Sequence, residues 1–312
     1  MRLATVRSGE GLRAAVLWET AGATLWVDVA DAAATTGDQG CPISLKGLLR
    51  RDGAALETAR RVLEALEASG PAPGVRTWSA ANVTLGPPIP DPGAFLDFYT
   101  FEEHVRRARA RRGLDMVPEW YRYPVYYRSN QRAFLGPGED VWFPAGETRM
   151  DYELELAAVL GSPVENVDAA SAEGAIAGFT LLNDWSARSI QRETMKIGLG
   201  PNKGKDFATS LGPWLVTADE VGDPGRAVLQ ARVNGEVWSH CEAGRMHWRW
   251  GEMLAYAAEG VRFEPGDVFG SGTVGGGCGL ELGRFLSPGD RVELDGGVLF
   301  GVLAATVRQR EV

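Results

Sequence analysis

Histidine, cysteine and lysine are scarce in this chain. Its 312 residues include three His (104, 240, 247), three Cys (41, 241, 278) and four Lys (46, 196, 203, 205), the other basic residues being Arg. With no C-x-x-C and no H-E-x-x-H, a zinc site of nitrogen and sulfur ligands lacks its usual spacing. Sparse cysteines in odd number fit a reducing compartment, not a disulfide framework. No run of about 18 apolar residues occurs, so no transmembrane helix is expected. Charges interrupt the N-terminus too often for a signal-peptide core, and a cytoplasmic location is the expectation. Positive charge is also short: 32 Lys+Arg against 41 Asp+Glu leave a net −9. That balance argues against nucleic acid or an anionic membrane as partner. Metal chemistry here must lean on oxygen ligands, and lysine chemistry on the one stretch that holds Lys196, Lys203 and Lys205.

Residues 1–90 read as a small β-rich unit with one helix. The runs 12–19 and 23–31 are apolar and β-prone, with a Gly-containing break between them. Residues 44–70 carry Leu56, Ala59, Leu63 and Leu66 at helical spacing and stop at Gly70-Pro71. Pro87, Pro88, Pro90 and Pro92 make 87–93 the expected linker to a second unit, 91–312, because repeated proline excludes a helix or central strand. Further on, Glu264-Pro265-Gly266-Asp267 and Ser287-Pro288-Gly289-Asp290 are turn sequences, each followed by a β-like run (268–273 and 291–296). They predict a folded-over, mostly antiparallel sheet. Helices are expected over 100–110, 170–178 and 186–196. No regular βαβ alternation and no repeat of 20–50 residues is visible, which argues against Rossmann, TIM and solenoid architectures.

In a strand over 150–156, Asp151, Glu153 and Glu155 share one face while Tyr152, Leu154 and Leu156 share the other. The apolar residues that follow draw this strand inward. Carboxylates facing one cavity repel unless a cation sits between them, which is how Mg2+ or Ca2+ is held. A half-exposed strand with a charged outer face is the ordinary alternative. Asp184, Arg188 and Gln191 fall at i, i+4 and i+7 of an expected helix, which also reads as a capped helix with a surface ion pair. Segment 199–209 looks like a phosphate loop, but Leu199 and Asp206 stand where that pattern needs Gly and Ser or Thr. Gly270, Gly272 and Gly275 satisfy G-x-G-x-x-G with no helix after them, so dinucleotide binding is rejected. His104 follows two acids on an expected helix, where a lone histidine is ordinarily a structural partner. No G-x-S-x-G elbow and no cysteine in an activating context is present, leaving Ser or Cys hydrolysis little support.

Seven segments together carry a resemblance: DFYTFEEH (97–104), PVYY (124–127), DYELEL (151–156), NDWSARSIQ (183–191), GKDFATSLGPW (204–214), SGT (271–273) and LEL (280–282). In this order and spacing they resemble the fumarylacetoacetate hydrolase family, from about residue 90 to the C-terminus. The resemblance implies an α+β, β-rich fold: a mixed β-roll catalytic domain over 91–312, a small N-terminal β-rich domain over 1–90, and assembly as a homodimer. It implies a divalent ion (Mg2+, alternatively Ca2+ or Mn2+) held by Glu153, Glu155 and Asp184, with Asp97 a further ligand. His104 matches the general base and Glu281 the acid that orients it. Arg188, Gln191 and Lys205 match the groups that stabilise negative charge. Tyr99, Arg112, Tyr127 and Thr273 match substrate contacts, Arg112 only across a one-residue gap. The implied substrate is a small anionic 1,3-diketo or 2-oxo acid, and the implied reaction is hydrolysis of a C–C bond, as in aromatic catabolism.

Two departures bear on that reading. Met195 stands where fumarylacetoacetate-cleaving members have a tyrosine, and residues 106–112 are unusually basic. Family decarboxylases and acylpyruvate hydrolases often place a glutamate three residues after the histidine; here that residue is Arg107, whereas Glu281 is present, which favours the C–C hydrolase arrangement. The rival readings are a 2-oxo acid decarboxylase, hydratase or isomerase with the same metal site, and a non-catalytic binding protein that retains the fold.

Overall fold

A computed structural model describes residues 1–311. Ten strands follow one another across the main sheet: Thr77–Ser79, Thr24–Asp28, Gly11–Glu19, Arg2–Ser8, Thr209–Thr217, Ile176–Asp184, Leu154–Leu160, Val268–Gly270, Phe95–Phe98 and Tyr126–Arg128. A second sheet runs Glu236–Glu242, Val228–Val233, Arg291–Asp295, Val302–Gln309 and Val141–Phe143. Pairing in it is antiparallel except for the last pair, so the predicted folded-over sheet is present. The fold is α+β and strand-rich, as expected.

Strands Leu154–Leu160 and Ile176–Asp184 are buried along their whole length, because both faces of the main sheet are covered. Even-numbered Leu154, Leu156, Ala158 and Leu160 share a core with Leu229, Val292 and Leu294 of the second sheet. Odd-numbered Ala157 and Val159 share another with Leu48, Leu49, Val62 and Leu66 of the N-terminal helices. This two-residue period means that the face carrying Asp151, Glu153 and Glu155 continues as the apolar face beneath those helices. A carboxylate row therefore ends where a hydrocarbon core begins.

Several expected elements end elsewhere. Strand Thr24–Asp28 stops at Asp28, whose carboxylate accepts the Asp31 amide at 2.9 Å and caps helix Val29–Thr35, so 29–31 are not β. The helical stretch 44–70 is two helices, Leu45–Asp52 and Glu57–Ser69, broken where Leu56 takes a left-handed φ of 49° and Asp52 accepts the Thr58 amide at 2.8 Å. The helix expected over 170–178 is Ala169–Gly174, and Ile176 already belongs to the central strand. An apolar run of that length suits either state, and pairing with two neighbouring strands decides it. The helix expected over 186–196 is Arg188–Thr194, so Asp184 lies at a strand end and not on that helix. Residues 87–89 are buried, and the Pro88 carbonyl accepts the Thr5 hydroxyl at 2.7 Å, so the proline stretch is packed along the sheet. The sheet is continuous across this point, since Arg2 and Leu3 pair with Val216 and Leu215.

Candidate active site

Three strands of the main sheet, two adjacent and the third one strand further on beyond Val268–Gly270, bring Asp97, Glu155 and Asp184 together. Asp97 lies in strand Phe95–Phe98, Glu155 in Leu154–Leu160, and Asp184 ends Ile176–Asp184. Each offers a carboxylate oxygen within 4.8 Å of the others, and all three are buried. Asp97 Oδ1, Glu155 Oε2 and Asp184 Oδ1 have no hydrogen-bond partner among the described residues. Burial and mutual repulsion push Asp97 and Glu155 well above the usual carboxylate range, and burial also raises Asp184. Unpaired buried carboxylates are costly, and a cation is what three oxygens aimed at one point are suited to hold. Gly270 keeps the space open: it pairs with both Asp97 and Ala157, and a Cβ on it would collide with Asp97 Oδ1 and stand 3.2 Å from Glu155 Oε2. The residues fit a hard divalent ion.

Glu153 stands beside this group, engaged by cations. The Lys205 amino group bridges Glu153 and Asp184, and Arg188 Nη2 donates to Glu153 Oε1 at 2.7 Å. Burial alone would raise Glu153, but Lys205 and Arg188 outweigh it and hold it below the ordinary range. Lys205 in turn stays protonated: burial opposes its charge, and Asp184 and Glu153 more than offset that. Arg188 Nη1 donates to Gln191 Oε1 at 3.0 Å, leaving the Gln191 amide nitrogen as a donor. The helix carrying both is capped by Glu147, which accepts the Ser189 and Ile190 amides. Segment 202–205 lies against it so closely that a Cβ on Gly204 would come within 2.6 Å of Gln191 Cβ. The glycine of the false phosphate loop thus serves to bring Lys205 in.

His104, on helix Glu102–Ala110, and Glu281, on the short helix Gly279–Leu282, form a buried pair with Nδ1 to Oε1 at 2.6 Å. Glu281 Oε2 accepts the Gly276 amide at 2.9 Å and lies 3.7 Å from Arg107 Nη1. Burial would raise Glu281, but the His104 hydrogen bond and these donors bring it below its ordinary value. Tyr99 stands edge-on to the His104 ring at 5.3 Å, and burial pushes its phenol up to about 12.

Of the other sequence-predicted residues, Tyr127 donates to Asp184 and lies 3.3 Å from Asp97 Oδ2, and Thr273 Oγ1 donates to Glu155 Oε1 at 3.3 Å. Arg112 is exposed, and its Nε reaches the Ala108 carbonyl at 3.3 Å. Two residues without an assigned role prove central. Asp151 accepts Arg188 and the amides of Gly279 and Leu280, joining the cationic wall to the Glu281 helix. Its place on the same strand face was the available signal. Asn183 accepts the Glu153 amide through Oδ1 at 3.0 Å, and nothing in the local sequence predicts that partner.

The family description "Fumarylacetoacetate (FAA) hydrolase C-terminal" matches residues 94–308. A Burkholderia lata protein named "Putative hydrolase" is 35% identical over 175 residues, 55% of this chain and 61% of that one. The match thus spans about three-fifths of that relative's length. Rat mitochondrial oxaloacetate tautomerase Fahd2a is 29% identical over 264 residues, 83% of this chain and 78% of that one. Among solved structures, maleylpyruvate hydrolase from Sphingobium sp. SYK-6, in complex with manganese(II) and pyruvate, superimposes with a TM-score of 0.73 at 24% identity, covering 100% of both chains. The match over 94–308, together with this fold, makes the chain a member of the fumarylacetoacetate hydrolase family.

Proposed function

We propose that this protein is a divalent-metal-dependent hydrolase that cleaves a C–C bond in a 1,3-diketo acid of the fumarylacetoacetate or acylpyruvate type. The observation that carries the reading is the His104–Glu281 pair at 2.6 Å, joined through Asp151 to the wall beside the carboxylate cluster. Asp97, Glu155 and Asp184, with Glu153 alongside, would hold a Mg2+-class ion, which supplies Lewis-acid binding of two substrate oxygens and offsets enolate charge.

The chain's own residues do the rest. Glu281 keeps the His104 proton on Nδ1, so Nε2 is free to take a proton from water. The water oxygen bonds to the distal carbonyl carbon. The C–C bond then breaks with its electron pair passing to the enolate, whose carbon recovers the proton from His104. Arg188, Lys205 and the Gln191 amide donate to the developing oxyanion, each such donor being worth roughly 10²–10³ in rate. Assembly as a homodimer belongs to the same reading.

A second reading, tautomerisation or decarboxylation of a 2-oxo acid, is favoured by the similarity to rat oxaloacetate tautomerase across 83% of this chain. Incubation with Mg2+ and acylpyruvates, fumarylacetoacetate or oxaloacetate, with product identification, separates the two. Two carboxylic acids from one diketo acid are the expected result. Carbon dioxide without a split acid, or an enol–keto exchange alone, would overturn the hydrolase reading.

A further inference from the structure

Cys278 has no part in the reaction above, yet it stands at the dyad. Its Sγ lies 4.0 Å from His104 Nδ1 and 3.6 Å from Glu281 Oε1, and these two are 2.6 Å apart. All three side chains are buried, and their donor atoms fall within 4.8 Å of one another. A tetrahedral zinc ion, with sulfur at about 2.3 Å and nitrogen or oxygen at about 2.0–2.2 Å, sets its ligand atoms about 3.3–3.6 Å apart. The two edges that meet at sulfur already approach those values. The third opens to them by less than about 1 Å once a cation replaces the proton between Nδ1 and Oε1. Glu281 Oε2 is engaged by the Gly276 amide and faces Arg107, so Oε1 is the oxygen that a cation would take.

We propose that His104, Cys278 and Glu281 form a second cation site, selective for zinc- or cadmium-class ions, whose occupancy switches off the base. An imidazole, a thiolate and one carboxylate are a softer set than the all-oxygen cluster of Asp97, Glu155 and Asp184, so the two sites divide soft from hard ions. Binding releases the Sγ proton to solvent and displaces the single imidazole proton from Nδ1, which the metal takes, to Nε2. Nε2 then carries a proton and can no longer accept from water. The inhibition rests on the hydrolase reading; the binding does not.

The test is a Cd2+ titration of the whole protein with Mg2+ held saturating, following the thiolate-to-cadmium charge-transfer absorption and turnover in the same samples. The site predicts a band that saturates at one equivalent, persists in Cys41→Ser and Cys241→Ser, and is lost in both Cys278→Ser and Cys278→Ala. It also predicts at least a tenfold loss of turnover at one equivalent, with ten times more Cd2+ needed for the same proportional loss in Cys278→Ser. No band in the wild-type protein, or a band that survives both Cys278 variants, would overturn the site. A Cys278-dependent band with turnover undiminished supports the site and removes His104 from the role of base.

Discussion

Asp151 holds Arg188 through Nε at 2.8 Å and accepts the backbone amides of Gly279 and Leu280 at 2.7 and 2.9 Å. One buried carboxylate thus fixes both the guanidinium that faces Glu153 and the start of the helix that carries Glu281. Asp151→Asn keeps the shape, removes the charge and turns one acceptor into a donor that faces N–H groups. Kinetic analysis should show kcat falling about 10- to 100-fold with KM changed far less, since orientation is what is lost. Breaking a buried ion pair of this kind costs about 3–5 kcal/mol, which thermal unfolding should register as a clear drop in Tm. An unchanged kcat would show that Asp151 is structural only.

Gly270 gives a direct test of the cation site. In Gly270→Ala the added methyl meets Asp97 Oδ1 in the space between Asp97 and Glu155. Calorimetric titration with Mg2+ or Mn2+ should show affinity at least tenfold weaker. The wild-type protein should gain about 2.7 kcal/mol of stability at a metal concentration of 100 Kd, and the variant much less at that same concentration. Equal metal-induced gains in the two proteins would place the ion elsewhere.

The acidic strand face was legible because a period of two needs no tertiary information: 151, 153 and 155 fall together, and they do. Less legible was which carboxylates share a point. Asp97 joins Glu155 only because Val268–Gly270 is inserted between their strands, a pairing that no local pattern encodes. The continuity of the sheet through Arg2 and Val216 was hidden for the same reason, since its partners lie at opposite ends of long connections. Propensity also misled where two states suit one composition. Residues 176–178 took the strand state from their neighbours, and the proline stretch at 87–89 was buried although proline usually marks an exposed connection.

In the N-terminal unit, Arg76 grips Asp31 through Nε at 2.6 Å and Nη2 at 2.8 Å, with Arg13 Nη2 at 3.0 Å. The Arg76 hydrogen bonds hold the Asp31 carboxyl below its ordinary value. A depressed carboxylate stabilises the fold fully above its unfolded pKa of about 3.9, and that contribution is lost as pH falls through the folded value. Denaturant unfolding should therefore show Asp31→Asn less stable than wild type by a constant amount from pH 7 to about pH 5, with the gap closing under more acidic conditions. A gap that widens on acidification would reverse the sign of this coupling.

The dyad makes separable predictions for its two members. His104→Ala removes the nitrogen that accepts the water proton but touches none of Asp97, Glu155 or Asp184, so cleavage should vanish while Mg2+ affinity stays nearly intact. Loss of Mg2+ binding in this variant would make the histidine part of the hard-ion site instead of the base. Glu281→Gln leaves a hydrogen-bonding group of the same size beside Nδ1, yet it removes the charge that favours the Nδ1–H tautomer and stabilises the imidazolium. A rate loss of about 10²–10⁴ is expected, with substrate binding little affected. The substituted side chain can still accept the Gly276 amide through its carbonyl oxygen only when its own NH2 group faces His104 Nδ1, so the variant favours the tautomer with its proton on Nε2. The loss should then be partly recovered as pH rises, as hydroxide takes over from the disabled base, whereas His104→Ala and Glu281→Gln with identical, pH-independent residual rates would mean that neither side chain handles the proton.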